Sequence, residues 1–242
     1  MTAVRPEVAD CAELARTTAR SAGLAAGLRV IVGAGLPVPC SRNGITLVPA
    51  GCLGDVRGWQ LGGIIVPHGS VTASARSHPL AATEGLEMVR VATTGLDHRP
   101  APGDRTGQQA ASDIAVLLLA IRLGLVARML ARATKHLSGR QADGQRLVEL
   151  QLMRGAIADA AAALEAGADE LCAVLASPAA EAPVVHGMHA RLDRVDWSVI
   201  TMFGASGYLR EHDVRCLYVG HLVHDAWVGP PPPDAPVQFE EP

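Results

Sequence analysis

Arg140 is the residue with the clearest chemical potential. It follows Ser138-Gly139, a pair that stops a helix. An Arg in so tight a turn projects a guanidinium able to grip a carboxylate or phosphate through two parallel hydrogen bonds, although an ordinary turn salt bridge is the simpler account of it. Gly204 and Gly207, in Gly204-Ala205-Ser206-Gly207, permit positive φ and close approach of a second backbone or a ligand. The alternative is a two-glycine helix stop with Tyr208 packed beneath it. His221 and His224, with Asp225, share one helix face at i, i+3, and His186 and His189 repeat the spacing. Four histidines could ligate a metal, but no carboxylate-x-x-His pairs of the di-iron type accompany them, and a polar helix face explains them without one. No Gly-x-Ser-x-Gly elbow or P-loop occurs, and Gly33-Ala34-Gly35 lacks the third glycine of a dinucleotide fingerprint. Cys11, Cys40, Cys52, Cys172 and Cys216 are odd in number and contain no CxxC, so neither a zinc knuckle nor a disulfide framework is expected, and a reducing, cytoplasmic setting is.

These side chains need elements to hold them. The 242 residues, 49% hydrophobic and 19% charged with net charge −3, suit one or two compact domains and give no basic footprint for nucleic acid. Aromatic residues make up only 3%, which leaves a core of Ala, Leu, Val and Ile and favours closely packed helices. Residues 7–32 read as one helix that weakens or breaks at its glycines. Short apolar runs at 45–48, 59–61, 63–66 and 88–92 read as strands, 71–82 as a loop and 98–108 as a linker. Four helices then follow, at 113–137 with Ser112 or Asp113 as N-cap, 146–176, 183–203 and 213–228. Pro230 to Pro233 prevent continuation into the acidic tail. The segments are thus 1–35, 36–108, 109–229 and 230–242. The longest apolar run, 114–126, contains Arg122 and Gly124, is short of a bilayer span and reads as a buried helix, and residues 1–10 carry no signal-peptide pattern. No membrane partner is expected.

Four motifs in order carry a resemblance. Leu123-Gly124-Leu125 lies inside the first of the four helices, and Arg140-x-x-x-Gly144 in the turn after it. Leu150-Gln151-Leu152-Met153 stands ahead of Ile157-Ala158-Asp159 in the second helix, and Gly204-Ala205-Ser206-Gly207-Tyr208-Leu209 follows the third. Together they resemble the C-terminal helical domain of the acyl-CoA dehydrogenases, with 36–108 similar to a shortened middle β domain and 1–35 to a remnant of the N-terminal helical domain. The resemblance implies an α+β fold, mainly α, in which a small β segment precedes a C-terminal four-helix bundle. It also implies FAD as cofactor, with Arg140, Gln151, Gly204 and Gly207 as cofactor-binding residues and Arg140 reaching the pyrophosphate across a dimer interface. An acyl thioester is the implied substrate. The implied assembly is an oligomer, either of this chain or with a fuller acyl-CoA dehydrogenase-like subunit.

The departures from the family are specific. Asp143 stands where the family commonly puts an aromatic beside the cofactor, and an acid near a pyrophosphate is repulsive unless paired. Thr201 replaces a Gln. Oxidation between Cα and Cβ needs a carboxylate base over the α-proton. Most of the family supplies a Glu just after the last helix, where this chain reads Trp227-Val228-Gly229-Pro230. A minority places it near the start of the first bundle helix, here Ile114, with Asp113 rotated by about 100°. Asp113 is therefore the one candidate catalytic residue, and first-turn capping would also explain it. Three functions stay open: action on an acyl thioester within an oligomer, a non-catalytic subunit of a flavoprotein complex, and flavin-free reuse of the fold for cyclisation or isomerisation in a biosynthetic pathway.

Overall fold

The protein is organised around one helix, α4 (Arg105–Ser138), which is roughly 50 Å long. The computed structural model describes residues 6–92, 105–177, 182–209 and 212–229. Every residue from Ile114 to Val126 is buried, Arg122 included. A helix that is apolar on all sides must be covered on all sides. Helices α1 (Pro6–Ala22) and α2 (Leu24–Gly33) cover one flank, while α5 (Gln151–Ala176), α6 (Ala182–Thr201) and α7 (Arg215–Trp227) cover the other.

Small residues allow the α1–α4 approach. Ala12, Ala15 and Ala19 are wholly buried, and a Cβ added to Gly124 would lie 2.2 Å from the Arg16 carbonyl oxygen. The Leu-Gly-Leu motif therefore marks a helix crossing. Arg128 donates to the Ser21 carbonyl at 2.6 Å and fixes the end of α1. The chain then turns at Gly23, with φ 98°, which is where the expected single helix breaks in two.

By length and composition, 107–138 is the one helix among the described residues that could cross a membrane, longer than the apolar run alone suggests. Its most apolar window is 83% buried within the fold, as a core helix should be.

The β region holds two three-stranded sheets. In the first, β1 (Val38–Cys40) pairs parallel with β3 (Gly58–Leu61), which pairs antiparallel with β4 (Ile64–Pro67). In the second, β6 (Leu86–Ala92) lies between β2 (Ile45–Pro49) and β5 (Thr72–Arg76), antiparallel to both. The four expected strands are present, whereas 71–82 is not a loop: it holds β5 and the short α3 (Pro79–Thr83). β5 is a largely exposed edge of small and polar residues, held by backbone pairing to β6, so it lacks an apolar alternation.

Several junctions join this region to the bundle. The Gln60 Nε2 donates to the Gly107 carbonyl at 2.7 Å, and Trp227 of α7 donates to Thr46 and Leu47 of β2. The first junction corrects the expected linker, because 105–108 is already helical and Ser112 and Asp113 are interior to α4 rather than caps. Residues 93–104 and the tail 230–242 lie outside the described residues.

The second bundle helix also starts later than expected. Residues 141–146 form a hairpin of β7 (Gln141–Ala142) and β8 (Gln145–Arg146), and α5 opens at Gln151. Asp143 and Gly144 make its two-residue turn with φ 52° and 80°. That turn requires positive φ at both positions, and Asp-Gly is among the pairs that supply it. Asp143 thus has a backbone reason to replace a ring. The whole is α+β and mainly α, with the small β region preceding the α4–α7 bundle, as expected.

Candidate functional site

A buried polar seam runs between α4, α6 and α7. Arg122 is 2% exposed, and its Nη2 donates to Asp193 Oδ1 at 2.5 Å and to Asp196 Oδ2 at 2.8 Å, Asp196 being also 2% exposed. Its Nη1 lies 3.1 Å from His189 Nδ1. A guanidinium only donates, so Nδ1 accepts and Nε2–H of His189 donates to the Ala115 carbonyl at 3.1 Å. The His189 and His224 rings lie 4.6 Å apart. His221 sits between the two carboxylates, 3.4 Å from Asp193 Oδ1 and 3.3 Å from Asp196 Oδ2.

The electrostatics follow from burial and neighbours. Burial pushes the Arg122 pKa down, but Asp196 and Asp193 outweigh it and the net shift is upward. Burial, reinforced by the adjacent Arg122, holds His189 well below its ordinary value and lowers His224 for the same reasons. The seam therefore contains a permanent cation, two carboxylates and two histidines kept neutral. Ligand atoms of Asp193, Asp196 and His221 lie within 4.8 Å of one another, near enough to hold a metal ion. The guanidinium already bonded to both carboxylates supplies the cation that this acidic pair needs.

Spacing on single helices identified His189, His221 and His224, and the structure brings these three together. His186 faces elsewhere, with its Nδ1 2.8 Å from the Ala182 carbonyl, and Asp225 projects to solvent. Arg122, Asp193 and Asp196 were missed. Their signal was an Arg inside an apolar run, which demands a buried counter-charge without saying where it lies.

Next to the seam, a cavity of about 510 Å³ opens between the first turns of α4 and α6 and the end of α7. Ser112, Ala115, Val185, His186, Trp227 and Val228 contribute to its wall, with no Asp or Glu among the described lining residues. Val228, where the resemblance implies a base, lines this cavity. Ile114 is wholly buried, and Asp113 lies off the cavity wall, where it accepts from Gln109 Nε2 at 2.9 Å. A second cavity, of about 350 Å³, lies between α4, α5 and α6 over Ala160, Ala163 and Gly167.

The four positions implied to touch a cofactor gather at the other end of the bundle. Arg140 is exposed, with Nη1 3.4 Å from His136 Nε2. His136 meets the Phe203 ring at 5.5 Å, and Phe203 leads directly into Gly204. Gln151 is the exposed first residue of α5 at this same end. Gly204 has φ +57° and open space where a Cβ would stand, whereas a Cβ on Gly207 would lie 2.8 Å from the Ile200 carbonyl oxygen. Gly207 is thus required by packing. Tyr208 is exposed and edge-on to Trp197, so the alternative in which it packs beneath the turn does not hold.

Ser112 and Arg140 are roughly 40 Å apart along α4. The cavity and the Arg140 end of the same chain therefore lie at opposite ends of the bundle. Among its described lining residues the cavity has no carboxylate.

Comparison with protein-family models finds no match, and comparison with curated proteins finds none either. Solved structures do match. The chain is similar to an acyl-CoA dehydrogenase from Geobacillus kaustophilus, with TM-score 0.53 and 14% identity over 69% of this chain and 48% of that one. It is similar to the prolyl acyl carrier protein oxidase AnaB, with TM-score 0.50 and 12% identity over 66% of this chain and 46% of that one. A chain from Mycobacterium smegmatis, assigned to the acyl-CoA dehydrogenases, gives TM-score 0.51 and 15% identity over 80% of this chain and 60% of that one. The chain thus spans about half the length of the structures it resembles. Similarity at this level of identity speaks for the fold: this is a divergent chain with the fold of the acyl-CoA dehydrogenases, its bundle preceded by a small β region.

Proposed function

We propose that the chain binds an acyl thioester or a related acyl intermediate in the cavity between α4, α6 and α7, and does so as part of an oligomer. The cavity carries this reading. Its size lies within the range of small-molecule sites, its wall is largely apolar, and it includes Val228, where the resemblance implies that most of the family carries its base. With roughly 40 Å between them, Arg140 would serve the cavity only from a second chain of an oligomer. Such an Arg140 would grip a phosphate of the acyl carrier or of a dinucleotide. With no carboxylate on the wall, the chemistry the residues support is binding and orientation of the acyl group rather than α-proton removal.

A second reading, a non-catalytic subunit that completes the interface of a fuller acyl-CoA dehydrogenase-like partner, is favoured by the same Val228. The test is purification of the protein alone and with its genomic neighbours, followed by light scattering and absorption spectroscopy in the presence of acyl-CoA. A colourless homo-oligomer that binds acyl-CoA supports the first reading. A flavin band found only in a complex with a partner, and lost from that partner on Arg140→Ala, supports the second. A monomer that binds no acyl-CoA contradicts both.

A further inference from the structure

We propose that Trp227 sets the length of acyl chain that the cavity accepts. This rests on the acyl reading of the cavity given above. Short side chains at Ala111, Ser112, Ala115 and Ala182 leave the space open, and Trp227 is the largest side chain on its wall. The indole is 6% exposed and does not swing aside. Its Nε1–H is shared between Thr46 Oγ1 at 3.0 Å and the Leu47 carbonyl at 3.2 Å, both on β2. A buried N–H with two acceptors costs free energy to release, so the ring stays against the strand. Behind it, Thr46, Leu47 and Val48 are buried in the core. The ring is therefore a fixed stop between the cavity and β2, and a smaller side chain at 227 extends the cavity toward that strand.

The experiment titrates the full chain with saturated acyl-CoA thioesters of increasing length by calorimetry. In the wild type, affinity should rise about fourfold per methylene until the chain meets the indole, and then stop rising. Trp227→Leu should move that break to longer chains, with about fourfold further gain for each methylene newly admitted. Trp227→Phe, which disturbs packing less, should move it in the same direction by a smaller step and serves if the Leu variant does not fold. Thr46→Val keeps the ring volume and should leave the break in place. A break at the wild-type length in a folded Leu or Phe variant overturns the assignment while leaving the acyl reading intact. No binding of any thioester by the wild type defeats the acyl reading and the assignment with it.

Discussion

Replacing Arg122 by Met should cost about 3–5 kcal/mol of stability. The figure comes from the two partners of the guanidinium. Asp196 is 2% exposed, so its loss of partner strands a buried carboxylate. Asp193 is 41% exposed and is screened by water, so it adds at most about 1 kcal/mol. The Asp196 side carries the effect. Asp196→Asn should also destabilise, by about 2–3 kcal/mol, because a buried guanidinium keeps only its half-exposed partner and His189. The double variant removes both charges together and should lose less than the sum, with a coupling of about 2–3 kcal/mol. Urea denaturation of the four proteins measures this directly. In Arg122→Met the buried carboxylate has no cation beside it, and acid removes the uncompensated charge. The deficit relative to wild type should therefore shrink on acidification. A cost below about 1 kcal/mol with additive single variants would mean that the seam is solvated, and the reasoning from burial would be wrong.

Acidification should destabilise the wild type below about pH 6.5, the ordinary histidine value. His189 and His224 are held low by burial, so the unfolded chain takes up protons that the folded chain refuses; His189→Gln should flatten the urea-midpoint profile there. Gly124→Ala should cost about 3 kcal/mol, because the new Cβ meets Arg16 backbone at 2.2 Å. Gly155→Ala, also helical but with nothing within 4 Å of its Cβ, should instead gain up to about 1 kcal/mol in the same denaturation assay. Alkylation followed by mass spectrometry should label exposed Cys172 first, while Cys40 and Cys216, their pKa values pushed up to about 12 chiefly by burial, label only on unfolding. Equal labelling rates in the native protein would contradict the packing described.

Helix period made α4 legible from its apolar residues, and the order of the bundle helices with it. Strands with an apolar alternation were equally clear, but β5 was not, because its cohesion is backbone pairing along an edge. The start of α4 was hidden by tertiary packing: Ser112-Asp113 has the chemistry of a cap, yet the helix extends back to Arg105, and Gly107 meets Gly63 and Gln60 of the β region. Asp143-Gly144 carried a hairpin signal in plain view, although Asp143 drew notice only as a missing ring. The seam was half legible. Its histidines share helix faces, but His189, Asp193 and Asp196 lie 67, 71 and 74 residues from Arg122, and no local pattern pairs groups so far apart.

The most direct test of the account is a calorimetric titration of the full chain with acyl-CoA, beside an Ala115→Leu variant that fills the cavity without altering the Ala115 carbonyl bonded to His189. Saturable binding by the wild type, weakened about tenfold or more in a folded Ala115→Leu protein, is the expected result. Equal affinity in the two proteins would place the ligand elsewhere, and no binding in either would remove the acyl group from the account.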